Sequence, residues 1–136
     1  PIDRMKFKVD QHGYIQDLRT IAAVEYLAFP KAPEHAVVSV VVLSYPFSSP
    51  EPTVLYSRSV TVKTKVKYIP QFLAFREAPP MAALIEEIPK QHTPQLVFIN
   101  GHGSYHPRRC GIATHVGVAI QIPTIGVSKT MLKVEH

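Results

Sequence analysis

The chain has 136 residues, 46% hydrophobic and 18% charged, a composition that excludes disorder and fibrous repeats. That length suits one domain, 1–136, able to hide roughly two thirds of its unfolded surface. Fifteen Lys and Arg against ten Asp and Glu give a net charge of +5, which attracts phosphate backbones and makes DNA or RNA the expected partner. The lone Cys110 excludes an internal disulfide and fits a reducing, cytoplasmic setting; no signal peptide opens the chain, and no run is apolar enough to cross a membrane.

Residues 1–18 have no clear period and read as an irregular or partly helical lead-in. Ile21 to Phe29 reads as a strand stopped by Pro30, and Lys31 to Glu34 as a turn. Ala36 to Tyr45 is a nearly unbroken β-branched run, the pattern of a strand covered on both faces. After the Pro- and Ser-rich turn 46–52, Thr53 to Val66 alternates and predicts a third strand with one wet face. Short turns between these strands make an antiparallel meander.

Beyond Pro70 the period becomes helical, with Phe72, Phe75, Met81, Leu84, Ile85 and Ile88 on one face. Pro79-Pro80 is expected to split this stretch into a short helix and a longer one. Gln95 to Asn100 predicts a short buried strand, Gly101-His102-Gly103 a loop, Cys110 to Ile120 a helix, and Pro123 to Val127 a last strand. The order is a three-strand antiparallel meander, then helix-strand-helix-strand: an α/β mixed sheet flanked by helices.

Three positions stand where this topology could bring them together: Glu25 in an apolar strand, Glu77 on the first helix, and Asn100 at the end of the buried strand. A carboxylate in such a strand costs free energy unless compensated, and hard cations such as Mg²⁺ take one or two carboxylates plus water and phosphate oxygens. By period alone, a strand-end ion pair is the commoner role for a residue like Glu25. The segment from Gly101 through His102, Gly103 and His106 to Arg108 and Arg109 follows a strand C-terminus, where α/β sheets bind ligands. If the two arginines open the next helix, they grip phosphate together with its free N–H groups. His102, His106, Cys110 and His115 are candidate zinc ligands, but their spacing matches no zinc signature, and Cys110 alone reads as a buried small hydrophobe. Tyr68-Ile69-Pro70 puts an aromatic on a stiff turn; the residues alone favour stapling to the core over an exposed wedge for bases.

The blocks Tyr68-Ile69-Pro70, Phe72-Leu73-Ala74-Phe75-Arg76-Glu77, Asn100-Gly101-His102-Gly103 with His106-Pro107-Arg108-Arg109, then Gly111, His115, Gly117 and Pro123 to Lys129, resemble the endonuclease V family. They occur in the family's order and span Ile21 to Leu132. The resemblance implies a ribonuclease H-like fold and a DNA-repair nuclease dependent on Mg²⁺ or Mn²⁺. Such an enzyme cuts one bond to the 3′ side of inosine. It also implies catalytic and metal-ligand roles for Glu25, Glu77 and Asn100. The wedge falls on Tyr68, Ile69 and Pro70, with nucleic-acid contacts at Gly101, His102, Gly103, His106, Arg108, Arg109 and Lys129.

The chain departs from the family pattern at decisive points. Glu25 stands where the family has aspartate, and Asn100 where it has the aspartate before Gly-His-Gly. An amide oxygen still ligates Mg²⁺ but neutralises no charge. Lys67 and Gln71 replace the Pro and Gly that flank the wedge. The family's further helices and late metal-site residue have no counterpart before His136, which leaves an apolar face that favours a homo-oligomer. The expectation is an endonuclease V-like protein that binds inosine-containing or damaged nucleic acid, with hydrolysis weak or lost. The alternative is an inactive nucleic-acid-binding or assembly subunit.

Overall fold

The computed structural model describes residues 8–130. Five strands form one sheet: β1 (Thr20–Phe29), β2 (Ala32–Ser44), β3 (Val54–Lys63), β4 (Leu96–Asn100) and β5 (Thr124–Val127). Their spatial order is β3-β2-β1-β4-β5. The first three pair antiparallel, β1 and β2 through a tight turn at 30–31 and β2 and β3 through the longer loop 45–53, whereas β4 and β5 join in parallel and each needs a helical crossover. Those crossovers contain α1 (Leu73–Glu86) and α2 (Ile112–Ile120).

The period-2 pattern decides which face each side chain takes. Ala22, Val24 and Tyr26 of β1, Ala36, Val38, Val40 and Val42 of β2, and Val97 and Ile99 of β4 are buried. Against them pack Ala78, Met81, Leu84 and Ile85 of α1 and Ile112, Ala113 and Val116 of α2. The other face carries Ala23, Glu25, Ser39, Val41, Ser57, Ser59, Phe98 and Asn100, which together line a shallow concavity. The β2 run is therefore covered on one face only among the described residues. Its other side chains, Val37, Ser39, Val41 and Leu43, are half-buried because β1 and β3 flank them.

Pro79 and Pro80 do not divide the helix; α1 runs through both. Each proline removes an N–H and leaves the carbonyl four residues earlier unpaired, at Phe75 and Arg76. Burial of Ala78, Met81, Leu84 and Ile85 against the sheet offsets that loss, since a fully buried Leu or Met side chain contributes roughly 1.5–3 kcal/mol. Nor is Lys31 to Glu34 a turn in full. Strand β2 begins at Ala32, and Pro33 falls in the bulge where pairing jumps from Ala28↔Ala36 to Phe29↔Ala32. A proline there gives up no ladder bond.

Of the lead-in, residues 1–7 lie outside the described residues, and the rest is a turn closed by a Val9↔Ile15 bridge, with no helix. Gln95 fastens it to the sheet: its Oε1 accepts from the backbone N–H of Arg19 at 2.7 Å and Thr20 at 3.1 Å, and its Nε2 donates to the Asp17 carbonyl at 2.9 Å.

Candidate functional site

The parallel register of β1 and β4 builds the first part of the site. Val24 stands opposite Ile99, so the next residues, Glu25 and Asn100, meet at the C-terminal end of β4 on the open face. There the Asn100 Nδ2 donates to the Glu25 Oε1 at 3.0 Å. Glu25 thus has an amide for a partner rather than the ion pair expected of a strand-end charge. Along the same row lie Ser39, opposite Glu25, and Ser59, whose hydroxyls are 2.8 Å apart.

Asn100 also borders a second cleft, lined by Glu77, Tyr68, Gln71, His102, His106 and Cys110. It joins the two concavities, one holding Glu25 and the other Glu77. Burial pushes the Glu77 carboxyl up from 4.5 to about 6, while the adjacent Arg76 guanidinium pulls it the other way. Arg76 is itself buried, its Nε donating to the Tyr26 hydroxyl at 3.3 Å and its Nη2 unpartnered among the described residues.

The sign of the Glu77 effect is unusual for a carboxylate. Its folded-state value lies above the ordinary one, so the folded protein holds the proton more tightly, and stability falls as pH rises from 4.5 to about 6. Glu77→Gln should remove this slope. Urea midpoints of the two proteins should converge below pH 4.5 and separate above pH 6, with the variant the more stable. A constant difference across that range would contradict the assignment.

The loop after β4 is packed through glycines. A Cβ at Gly111 would lie 2.2 Å from the His102 carbonyl oxygen, and one at Gly126 2.5 Å from that of Gly101. The His102 ring meets the Thr130 carbonyl at 2.8 Å, which folds the segment bearing the exposed Lys129 over this loop. His106 Nε2 donates to the Gln71 carbonyl at 3.2 Å, and Arg108 donates to the same oxygen. The Arg108 guanidinium also sits 3.9 Å above the Phe72 ring.

Several expectations change here. The arginines do not open the helix: α2 starts at Ile112, and its Ala113 N–H is taken by the His102 carbonyl at 3.0 Å. Cys110 is exposed, because it precedes the helix and so misses its apolar face. Tyr68 and Ile69 are 62% and 52% exposed, so the turn projects into solvent instead of stapling itself to the core. His102 and His106 meet backbone carbonyls, and His115 packs edge-on to Phe75.

Between Glu25 and Asn100 the amide nitrogen faces the carboxylate. Only after a half-turn of the Asn100 amide would two oxygens converge there. The donor set that this pair offers a cation is then one carboxylate and one neutral amide oxygen.

Three residues were missed from the sequence. Gln71 and Phe72 hold the arginine loop, and Arg76 stands beside Glu77. Arg76 was legible: it falls four and eight residues before Pro80 and the buried Leu84, on the apolar stripe of α1.

A mixed five-stranded sheet with crossover helices packed on one face, and polar groups gathered at the C-terminal end of its central parallel strand, defines the ribonuclease H-like class. The endonuclease V family model matches residues 3–136, and the chain belongs to the endonuclease V family. It is 47% identical to the endonuclease V of Gloeobacter violaceus over 123 residues, 88% of this chain and 47% of that protein. It superposes on the catalytic domain of human endonuclease V with a TM-score of 0.79 at 33% identity, covering 88% of this chain and 48% of the human one. Ciona intestinalis endonuclease V, solved with a 23mer DNA containing an inosine followed by a ribo-adenosine, gives 0.77 at 30% identity, over 96% and 54% of the two chains. The chain spans about half the length of the relatives it matches.

Proposed function

We propose that this chain, acting as one domain over 1–136, binds inosine-containing or damaged DNA or RNA in the manner of an endonuclease V. On this reading its Mg²⁺- or Mn²⁺-dependent phosphodiester hydrolysis is weak or lost. The observation that carries the proposal is the Asn100–Glu25 pairing: a neutral amide stands beside Glu25, where a second carboxylate would add a charged ligand for a divalent ion. Glu77, held near pH 6 by burial, would add a carboxylate that ionises late.

The binding half of the reading draws on the exposed Tyr68 and Ile69, on Arg109 and Lys129, and on the net charge of +5. A wedge of aromatic and apolar side chains opens a base step, and cations on either side neutralise phosphates. The exposed thiol of Cys110 suits a reducing cytoplasm.

If this is right, the protein should bind an inosine-containing single strand in EDTA, and more tightly than the same strand with adenine. Affinity should fall linearly on a log-log plot with salt, at roughly 0.7 per phosphate contacted. Fluorescence polarisation at several salt concentrations reads both. Equal affinity for the two strands would remove inosine from the proposal; no binding to either would remove nucleic acid.

A further inference from the structure

We infer that Arg108 and His106 are positioning residues for the Tyr68–Pro70 turn rather than phosphate ligands. The neighbouring Arg109 is then the cation of this loop that meets the nucleic-acid backbone. The inference begins at Gln71, directly after the turn, whose φ of 67° is left-handed. A non-glycine residue pays roughly 1–2 kcal/mol for that conformation, so something must hold it there. Two donors converge on its carbonyl, His106 Nε2 at 3.2 Å and an Arg108 guanidinium nitrogen.

Both donors are fixed on their own side. The His106 Nδ1 accepts the Arg108 backbone N–H at 3.2 Å, which leaves the proton on Nε2, facing Gln71. The Arg108 Cζ lies 3.9 Å from the centre of the Phe72 ring, Phe72 stacks on Phe75 at 6.2 Å, and Phe75 meets His115 of α2 edge-on at 5.7 Å. An arginine so engaged has its fork directed at the protein. Arg109 makes no side-chain hydrogen bond among the described residues and is exposed. Two adjacent arginines therefore have separate tasks. The clamp spans 37 residues of sequence and sets the angle at which Tyr68 leaves the surface.

The role in recognition rests on the nucleic-acid reading above, but the clamp can be tested without nucleic acid. The chain has no tryptophan, so Tyr68→Trp introduces a single reporter on the turn. In that background the fluorescence anisotropy of the introduced indole should fall in Arg108→Ala and in His106→Ala, and stay unchanged in Arg109→Ala. Arg108→Lys is the decisive variant. A lysine keeps the charge but has neither the planar fork nor the ring stack, so anisotropy should still fall.

On an inosine-containing single strand, Arg109→Ala should lower the salt slope by about 0.7 and Arg108→Ala should leave it unchanged; a slope lowered equally by Arg108→Ala would make Arg108 a phosphate ligand and overturn the division of tasks. Undiminished anisotropy in both Arg108 variants, or full restoration by lysine, would overturn the positioning role. A fall in anisotropy with no nucleic-acid binding by any of the proteins would keep the clamp and discard the nucleic-acid reading instead.

Discussion

Asn100→Asp should raise metal-dependent nicking of an inosine-containing single strand by roughly 10²-fold or more, the scale on which a single electrostatic group at a reacting centre acts. The substitution changes one donor into an acceptor at a fixed place. In the present arrangement the Asn100 Nδ2 and the Glu25 Oε1 attract each other across 3.0 Å, and the pair is satisfied without a cation. With aspartate, two carboxylates would face each other at that separation and repel. A divalent cation relieves the repulsion and gains two charged oxygens. The backbone carrying both residues is unchanged, because the β1–β4 register is set by buried neighbours, Val24 and Ile99. Gel analysis of nicked product with Mg²⁺ or Mn²⁺ reads the outcome. Equal rates for the two proteins would remove Asn100 as the cause.

Gly126→Ala should cost about 3 kcal/mol and lower Tm by roughly 10 °C. The new methyl would lie 2.5 Å from the Gly101 carbonyl oxygen and 2.6 Å from the Gly103 nitrogen, both backbone atoms that cannot rotate away. To make room, the loop must leave β5, breaking the 2.7 Å bond from the Gly101 N–H to the Val127 carbonyl. That bond sits one residue beyond Asn100, so the defect reaches the site as well as the fold. Gly103→Ala is the control. Its Cβ would meet nothing nearer than 3.9 Å, and its Tm should change little. Thermal melting of both by circular dichroism distinguishes a steric cause from a general intolerance of loop substitutions; similar losses in the two would refute the steric account.

The sheet was legible because its strands carry their own signatures. Alternation in Val54–Lys63, the valine run of β2 and the short apolar Leu96–Asn100 each match one period, and turn residues separate them. The continuity of α1 was not legible. Two prolines dominate any local reading, and only the sheet beneath Ala78, Met81 and Leu84 reverses it. The Glu25–Asn100 hydrogen bond follows from a parallel register that no local pattern encodes; the predicted topology only allowed the two to meet, and the family resemblance supplied their shared role. Least legible was the partner of Arg108, a backbone carbonyl 37 residues away on a residue held in the left-handed region. Side-chain chemistry suggested phosphate for Arg108, but the geometry gives it a protein partner.

Metal-dependent melting separates a site weakened by asparagine at position 100 from one that still holds an ion with Glu25 and Glu77. The unmodified protein and Asn100→Asp would be melted at pH 7.5 with and without millimolar Mn²⁺, since a ligand that binds only the folded state raises Tm in proportion to its affinity. The unmodified protein should show little or no shift and the variant a clear rise. An equal rise in both would mean that the Asn100 amide turns its oxygen to the ion, and Asn100 would not be what weakens the site.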